Sequence, residues 1–440
     1  MVRSTGIAEP VRRGRIRWLM VTLVFGVAAV AYLDRSNISI AAPVLKLDFA
    51  LTDIQLGMVF SAFVLGYAIT QPIAGRMADR FGAYILIAVG IFWWSVLTAI
   101  TAMLPSNFVG AFAALLGVRF ILGVGESVIF PASNRLVESW IPSNERGLAN
   151  GLIFAGVGFG AGVAPPLISS IMIEHDWRYA FWVTAIIGIV ALIIWLLFAR
   201  ETPQKHAHVG QAELDYIEAD KIKRSVKSRT NSLAPWRKII LNRHIALLTF
   251  SYFCYGYVAY IFFTWFFTYL LTVRGLNLRA SGIYGMLPFI AMAIASPLGG
   301  WISDQLSVRY TKRIGRCYVA AAGMMLTAVF VVFATTVSDP RLAAVVLAAG
   351  SGSLYLAQSA FWTLSADIGR SSAGSVAGVM NLGSQIGGVA VGILTPILAA
   401  TAVGWSGAFI FTALICFAGA VAWLFIDPHA SLDSSQVVGS

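Results

Sequence analysis

Long apolar runs separated by short polar stretches set the pattern of this chain. Runs long enough to cross ~30 Å of hydrocarbon fall at about 18–44, 54–76, 83–104, 109–135, 147–172 and 178–199. A polar stretch covers about 200–243, and six further runs follow at about 244–272, 281–302, 317–337, 341–366, 372–400 and 404–426. The pattern predicts an all-α integral membrane protein of twelve transmembrane helices, six on each side of a hydrophilic linker. The expected divisions are an N-terminal segment at 1–17, a first bundle at 18–200, a linker at 201–243, a second bundle at 244–427 and a tail at 428–440. Gln211 to Lys223 has helical character and is expected to lie along the membrane surface.

Composition agrees with the pattern. Of 440 residues, 58% are hydrophobic and 12% charged, about half the charged fraction of a soluble domain. In a soluble protein the net charge of +11 would suggest nucleic acid. Here it fits cytoplasmic loops rich in Lys and Arg, and no nucleic-acid partner is expected. An even number of spans puts both termini on one side. The N-terminal arginines, Arg76, Arg80, Arg135, Arg146, the linker, and Arg309, Lys312, Arg313 and Arg316 share that side. By the positive-inside rule it is the cytoplasmic face of a cell inner (plasma) membrane. Arg12 to Ala31 imitates a signal peptide, but the apolar segment continues through Asp34-Arg35 to Pro43, so a retained first helix is expected.

Several chemistries are disfavoured. Cys254, Cys317 and Cys416 have no paired spacing, which points to neither disulfide nor zinc. The H-x-H of His206 and His208 sits in a charged loop and reads as solvated rather than as a metal site. There is no glycine-rich phosphate motif, no nucleophile–base pair in the spans and no sign of a cofactor. Neither ATP drive nor an enzyme is expected.

The informative residues are four ionisable groups inside spans: Asp34, Arg35, Arg119 and Glu126. Charges at membrane depth are costly and default to a functional reading. Arg119 and Glu126 are seven residues apart, so they face the same way about 10 Å apart along a helix. Carboxylic acids can carry protons, whereas arginine effectively cannot release one. Asp34 and Glu126 are therefore the expected proton-coupling sites, and Arg35 and Arg119 the fixed cations that grip a substrate carboxylate. The bland alternative is a pair of buried salt bridges that only hold helices together. The second half has little charge inside its spans. Its candidates are Ser359, Trp362, Thr363, Ser365, Asn381, Ser384 and Gln385, with Tyr32 and Tyr67 facing them from the first half.

The halves echo each other. Gly75-Arg76-Met77-Ala78-Asp79 and Gly300-Trp301-Ile302-Ser303-Asp304 share G-x-x-x-D at the turn after the second helix of each half. Asp79 and Asp304 are candidate gating residues. With Tyr32-Leu33-Asp34-Arg35-Ser36-Asn37, Phe60-Ser61-Ala62-Phe63, Tyr67, Arg119, Gly123, Glu126, Pro131, Asn134-Arg135, Trp140-Ile141-Pro142 and Glu213-Leu214-Asp215-Tyr216-Ile217, the chain resembles the major facilitator superfamily. More narrowly it resembles the anion:cation symporter branch, which includes bacterial sugar-acid permeases. That resemblance implies two bundles rocking about a central site and proton-driven uptake of an organic anion. It also implies substrate-binding roles at Tyr32, Tyr67, Ser359, Trp362 and Asn381. One departure is Val157, where some sugar-acid carriers have a polar residue, which leaves aromatic or small dicarboxylic acids open as substrates. The alternative from another class is a non-transporting anion sensor. A monomer in the lipid bilayer is expected, and Asp367 and Arg370 are expected to brace a closed state.

Overall fold

The computed structural model describes residues 15–142, 145–227, 235–369, 372–430 and 432. Twelve helices are long and apolar enough to cross a membrane. Spans 1 to 6 are Ile16–Asp48, Asp53–Gln71, Ala83–Met103, Ala111–Trp140, Leu148–Glu174 and Trp177–Phe198. Spans 7 to 12 are Arg243–Thr264, Leu278–Arg309, Arg313–Thr336, Pro340–Gly369, Gly374–Ala399 and Gly404–Leu424. The helix of span 2 runs on to Phe81. No strand occurs among the described residues. With an even span count the start of span 1 and the end of span 12 share one face, called here the terminal face; the opposite one is the far face.

Packing follows the sequence halves. One buried core is built from spans 1 to 6 with Met292 of span 8, around residues such as Met20, Trp94, Leu122, Trp140 and Trp195. The other centres on spans 7 to 12, around Tyr257, Met324, Phe361 and Trp423. This second core also takes in Ile38, Ala42, Leu45, Leu56 and Phe60 from the far ends of spans 1 and 2. The bundles are thus fused at the far face. Small residues allow it: Gly57 of span 2 packs on the Gly392 carbonyl of span 11, and Ser61 Oγ donates to Val389 O at 2.9 Å. Opposite them, Gly158 and Gly162 of span 5 meet Met292, Ala293 and Phe289 of span 8, and Gly282 meets Ser169. Glycine-mediated approach of this kind is a normal basis for helix association in lipid, where apolar burial drives little.

Two spans are interrupted near their middles. Span 4 breaks between Glu126 and Ile129. Pro131 explains this, since it cannot donate to the Ser127 carbonyl and its ring crowds that residue. Span 10 breaks at Ala357, whose N–H bonds back to Leu354 O at 3.1 Å.

At the terminal face the linker helix, Gln211–Lys227, docks on the first bundle rather than lying free on the membrane. Buried Glu213 accepts from the N–H groups of Ile16 and Arg17, at 3.3 and 3.1 Å. Its carboxylate caps the positive end of span 1. Arg17 pairs with both Glu213 (3.1 Å) and Glu145 (2.8 Å). Glu201 caps span 3 in the same way, accepting from Ala83 and Tyr84.

Candidate substrate-binding site

All four intramembrane charges are buried: Asp34 is 3% exposed, Arg35 8%, Arg119 3% and Glu126 2%. They pair differently from their order in the sequence. Arg35 donates from Nε (3.2 Å) and Nη2 (2.9 Å) to a single oxygen, Oε1, of Glu126. This ties span 1 to span 4. Glu126 Oε2 is buried with no partner. Asp34 points elsewhere, as consecutive helix positions must, being about 100° apart. Its carboxylate accepts from Thr98 of span 3, with 2.8 Å to either oxygen. Arg119 and Glu126 face one way as their spacing requires, yet form no ion pair within 4.0 Å. Arg119 Nε has no hydrogen-bond partner. The four groups therefore do not form two salt bridges. They form one bridge, one hydroxyl-bound carboxylate and one guanidinium with an open donor.

Aromatic rings cage the cations. The Arg35 guanidinium lies 4.4 Å from the Tyr32 ring centre, 4.8 Å from Phe63 and 4.9 Å from Tyr67. It also donates to Tyr32 Oη at 3.2 Å. Arg119 lies 4.8 Å from Phe63, so that ring contacts both guanidiniums. Cation–π contact holds a guanidinium in place without neutralising it, which leaves its donors available to an anion. Phe63 was not among the expected site residues. Its signal was its place four residues before Tyr67, one turn away on the same helix face. Thr98 had no such signal, because a threonine in an apolar helix ordinarily bonds its own backbone.

On the terminal-face side of the Arg35–Glu126 pair lies an aromatic layer. Tyr32 contacts Phe130 (6.2 Å between centres) and Phe263 (5.7 Å). Phe130 stacks on Phe154 at 5.7 Å, and Phe154 meets Trp362 at 6.4 Å. The layer therefore crosses from the first bundle to the second. Trp362 in turn packs edge-on against Tyr252.

The other second-half candidates are spread over several tasks. Asn381 Nδ2 donates to Gln71 Oε1 at 3.0 Å, a hydrogen bond between bundles. Ser359 Oγ is buried without a partner and sits against Gly300 of span 8. Thr363 and Ser365 spend their hydroxyls on their own helix, at Ser359 O and Trp362 O. Ser384 packs on Gly256, and Gln385 accepts from Tyr260 Oη at 2.8 Å. Val157 is buried in the first core.

Of the gating candidates, Asp304 pairs with Arg316 of span 9 at 2.8 Å, inside its own bundle. The Asp79 side chain lies outside the described residues, although its backbone is helical. Asp367 pairs with Lys312 at 3.0 Å; Arg370 lies outside the described residues. His206 packs edge-on against Trp140, and its partial burial holds its pKa below the ordinary histidine value. No three metal-ligating side chains come together among the described residues, and the three cysteines are free and buried.

The sequence profile of the Major Facilitator Superfamily matches residues 24–392. This chain belongs to that superfamily. It is a transporter, not an enzyme. It is 32% identical over 409 residues to a probable sulfoacetate transporter, SauU, of Cupriavidus necator, with 92% of each chain covered. It is 28% identical to the hexuronate transporter of Bacillus subtilis, over 93% of this chain and 94% of that one. Its fold matches the crystal structure of a bacterial homologue of the human lysosomal transporter Spinster, with a TM-score of 0.75 at 18% identity. That match covers 94% of this chain and 97% of the other.

Proposed function

We propose that this protein imports an organic anion with protons by alternating access, and that the anion is a sugar acid: a hexonate, hexuronate or aldarate. One observation carries the reading. At membrane depth, Arg35 is held by one oxygen of Glu126 while the other oxygen is buried and open. A proton arriving at Oε2 neutralises the carboxylate and frees Arg35 for the substrate carboxylate, which it grips through two N–H donors. Arg119 supplies the second cation. Proton and anion then favour each other's binding, the reciprocal linkage a symporter needs. Asp34 is the second proton site, its carboxylate held by Thr98 of span 3. Tyr32 and Tyr67 fix Arg35. Ser359, Trp362 and Asn381 meet the substrate from the second bundle.

The retention of the charges argues for this role over mere bracing. A buried ion pair stabilises poorly against apolar packing of the same volume. The driving force suffices: one pH unit is worth ~1.4 kcal/mol per proton, and 100 mV adds ~2.3 kcal/mol per net charge moved. Two protons with a monoanion carry one net positive charge inward.

On this reading the far face is the outside and its contacts close the carrier there, while the Lys- and Arg-rich ends face the cytoplasm. Asp79 and Asp304 act at the cytoplasmic turns when that side closes. The chain works as a monomer in the inner membrane. Relatives named for hexuronate and sulfoacetate support an acidic cargo. Val157, apolar and buried, favours a second reading in which the cargo is a short diacid held between both arginines.

The test is uptake into vesicles with an imposed pH gradient. Wild type should accelerate when the outside is acidic. Glu126→Gln and Asp34→Asn should transport at rates that no longer follow the gradient. Wild-type pH dependence in both variants removes the coupling mechanism.

A further inference from the structure

Gln358 is the first residue after the interruption of span 10. Its amide N–H donates to Tyr252 Oη in a long bond of 3.4 Å, and its Oε1 is buried with no partner. An orphaned buried acceptor is costly, because its lost hydration is not replaced, and native structures hold few of them. Apolar side chains of the same size were available in this apolar span. An open amide at that depth therefore points to a ligand.

Its position fits. Gln358 and Trp362 are four residues apart and share a helix face. Trp362 crosses the seam to Phe154, completing the aromatic layer. Gln358 lies one turn further from the terminal face. On the opposite wall, Arg35 likewise lies one turn beyond Tyr32, the first-bundle member of that layer. The two side chains thus belong to the same stratum, between the aromatic layer and the sealed far face. Tyr255, 3% exposed and stacked on Tyr252, adds a second tyrosine beside it.

We infer that Gln358 is a substrate-specificity residue that receives a hydroxyl of the cargo while Arg35 and Arg119 hold its carboxylate. An amide oxygen only accepts, so its partner must bring a hydrogen. Ionised carboxylate and sulfonate groups have none; an alcohol does. Turning the amide over would let Tyr252 donate to Oε1 and leave the NH2 group open instead. An alcohol oxygen satisfies that arrangement as well, because a hydroxyl both donates and accepts. A hydroxylated acid therefore suits either arrangement, and an apolar-chain acid suits neither. This inference rests on the sugar-acid reading and deepens it, since it assigns the cargo's neutral end to the second bundle.

The experiment is equilibrium binding of D-galactonate and of hexanoate, which has the same six-carbon acid chain without hydroxyls, to full-length protein in detergent. Wild type, Gln358→Leu and Gln358→Met are compared, each with its melting temperature without ligand. The expected result is that both variants bind galactonate roughly five- to tenfold more weakly, with hexanoate unchanged. The unliganded melting temperature should hold or rise, because an unpaired buried acceptor is gone. Undiminished galactonate affinity overturns the inference. So does parallel weakening for both acids with a lower melting temperature, which marks Gln358 as a packing residue. If wild type binds neither acid, the sugar-acid reading fails first and this assignment with it.

Discussion

Spans 4 and 10 occupy equivalent places in the two halves and have the same length, 30 residues. Both break near the middle, span 4 after 16 helical residues and span 10 after 17. At the first break stands Glu126, bound to Arg35. At the second stands Gln358, bound weakly to Tyr252. The same irregularity in the backbone thus presents a carboxylate from one bundle and a neutral amide from the other. The difference extends outwards. The first bundle surrounds its break with Arg35, Arg119 and a ring cage, whereas the second surrounds its own with tyrosines, Trp362 and amides. On the proposed mechanism, the charge that responds to protons and the groups that recognise the cargo's neutral part belong to separate bundles. Gathering both kinds in one bundle would expose the substrate's neutral part to each rearrangement of the ion pair.

The comparison breaks most visibly at Arg35. Arg35→Met should abolish uptake and leave Glu126 as a buried acid without its cation, a loss of about 3–5 kcal/mol for an ionised partner. The double variant Arg35→Met with Glu126→Gln should recover most of that stability, because both charges leave together, and none of the transport. Melting curves and vesicle uptake on the same preparations decide it. Recovery of transport in the double variant would show that Arg35 serves only to neutralise Glu126, and the charged bundle would lose its claim to the carboxylate.

A smaller effect is expected where the bundles touch. A Cβ at Gly57 would collide with the Gly392 carbonyl. Gly57→Val should therefore hold the far face ajar at an overpacking cost of about 1–3 kcal/mol. Uptake should fall at least tenfold, while a cysteine placed beside the far end of span 11 becomes reactive to an impermeant thiol reagent. Binding of the anion should survive, because neither wall of the site is touched. If binding is lost along with uptake, the seal and the site are one unit and the separation of roles does not hold.

How far the sequence already displayed this arrangement depends on the kind of feature. Span number and the all-helical fold followed from runs of apolar residues, because bilayer thickness leaves helix length little freedom. Arg35, Arg119 and Glu126 stood out because charge at membrane depth is rare. Pairing was not legible. Asp34 and Arg35 are adjacent in the chain and look like one pair, yet a helix turns them apart, and Asp34 finds Thr98 in span 3. Asn381 looked like a substrate ligand and is engaged by Gln71 across the seam. Gln358 passed unnoticed beside Ser359, since nothing in a run of mixed small and polar residues marks which side chains lose their partners on folding. Identity and spacing along one helix can be read from sequence; partners contributed by other helices depend on packing that no local pattern encodes.

The smallest and most discriminating effect lies at Asn381. In this structure its amide is tied to Gln71 Oε1, which fits two roles: a strap between bundles, or a substrate contact made after the strap opens. The two roles separate in a pair of variants. If Asn381 is only a strap, Asn381→Ala and Gln71→Ala remove the same hydrogen bond, about 0.5–1.5 kcal/mol, and the double variant should match either one. If Asn381 also receives the cargo, Asn381→Ala alone should raise the KM for galactonate uptake, by roughly three- to tenfold, while Gln71→Ala shifts the maximal rate and leaves KM in place. We expect the second outcome, since the neutral bundle then contributes two amides to one hydroxylated chain, Gln358 and Asn381. Identical kinetics in the two single variants would return Asn381 to the interface and leave recognition of the neutral end to Gln358 and the aromatic residues around it.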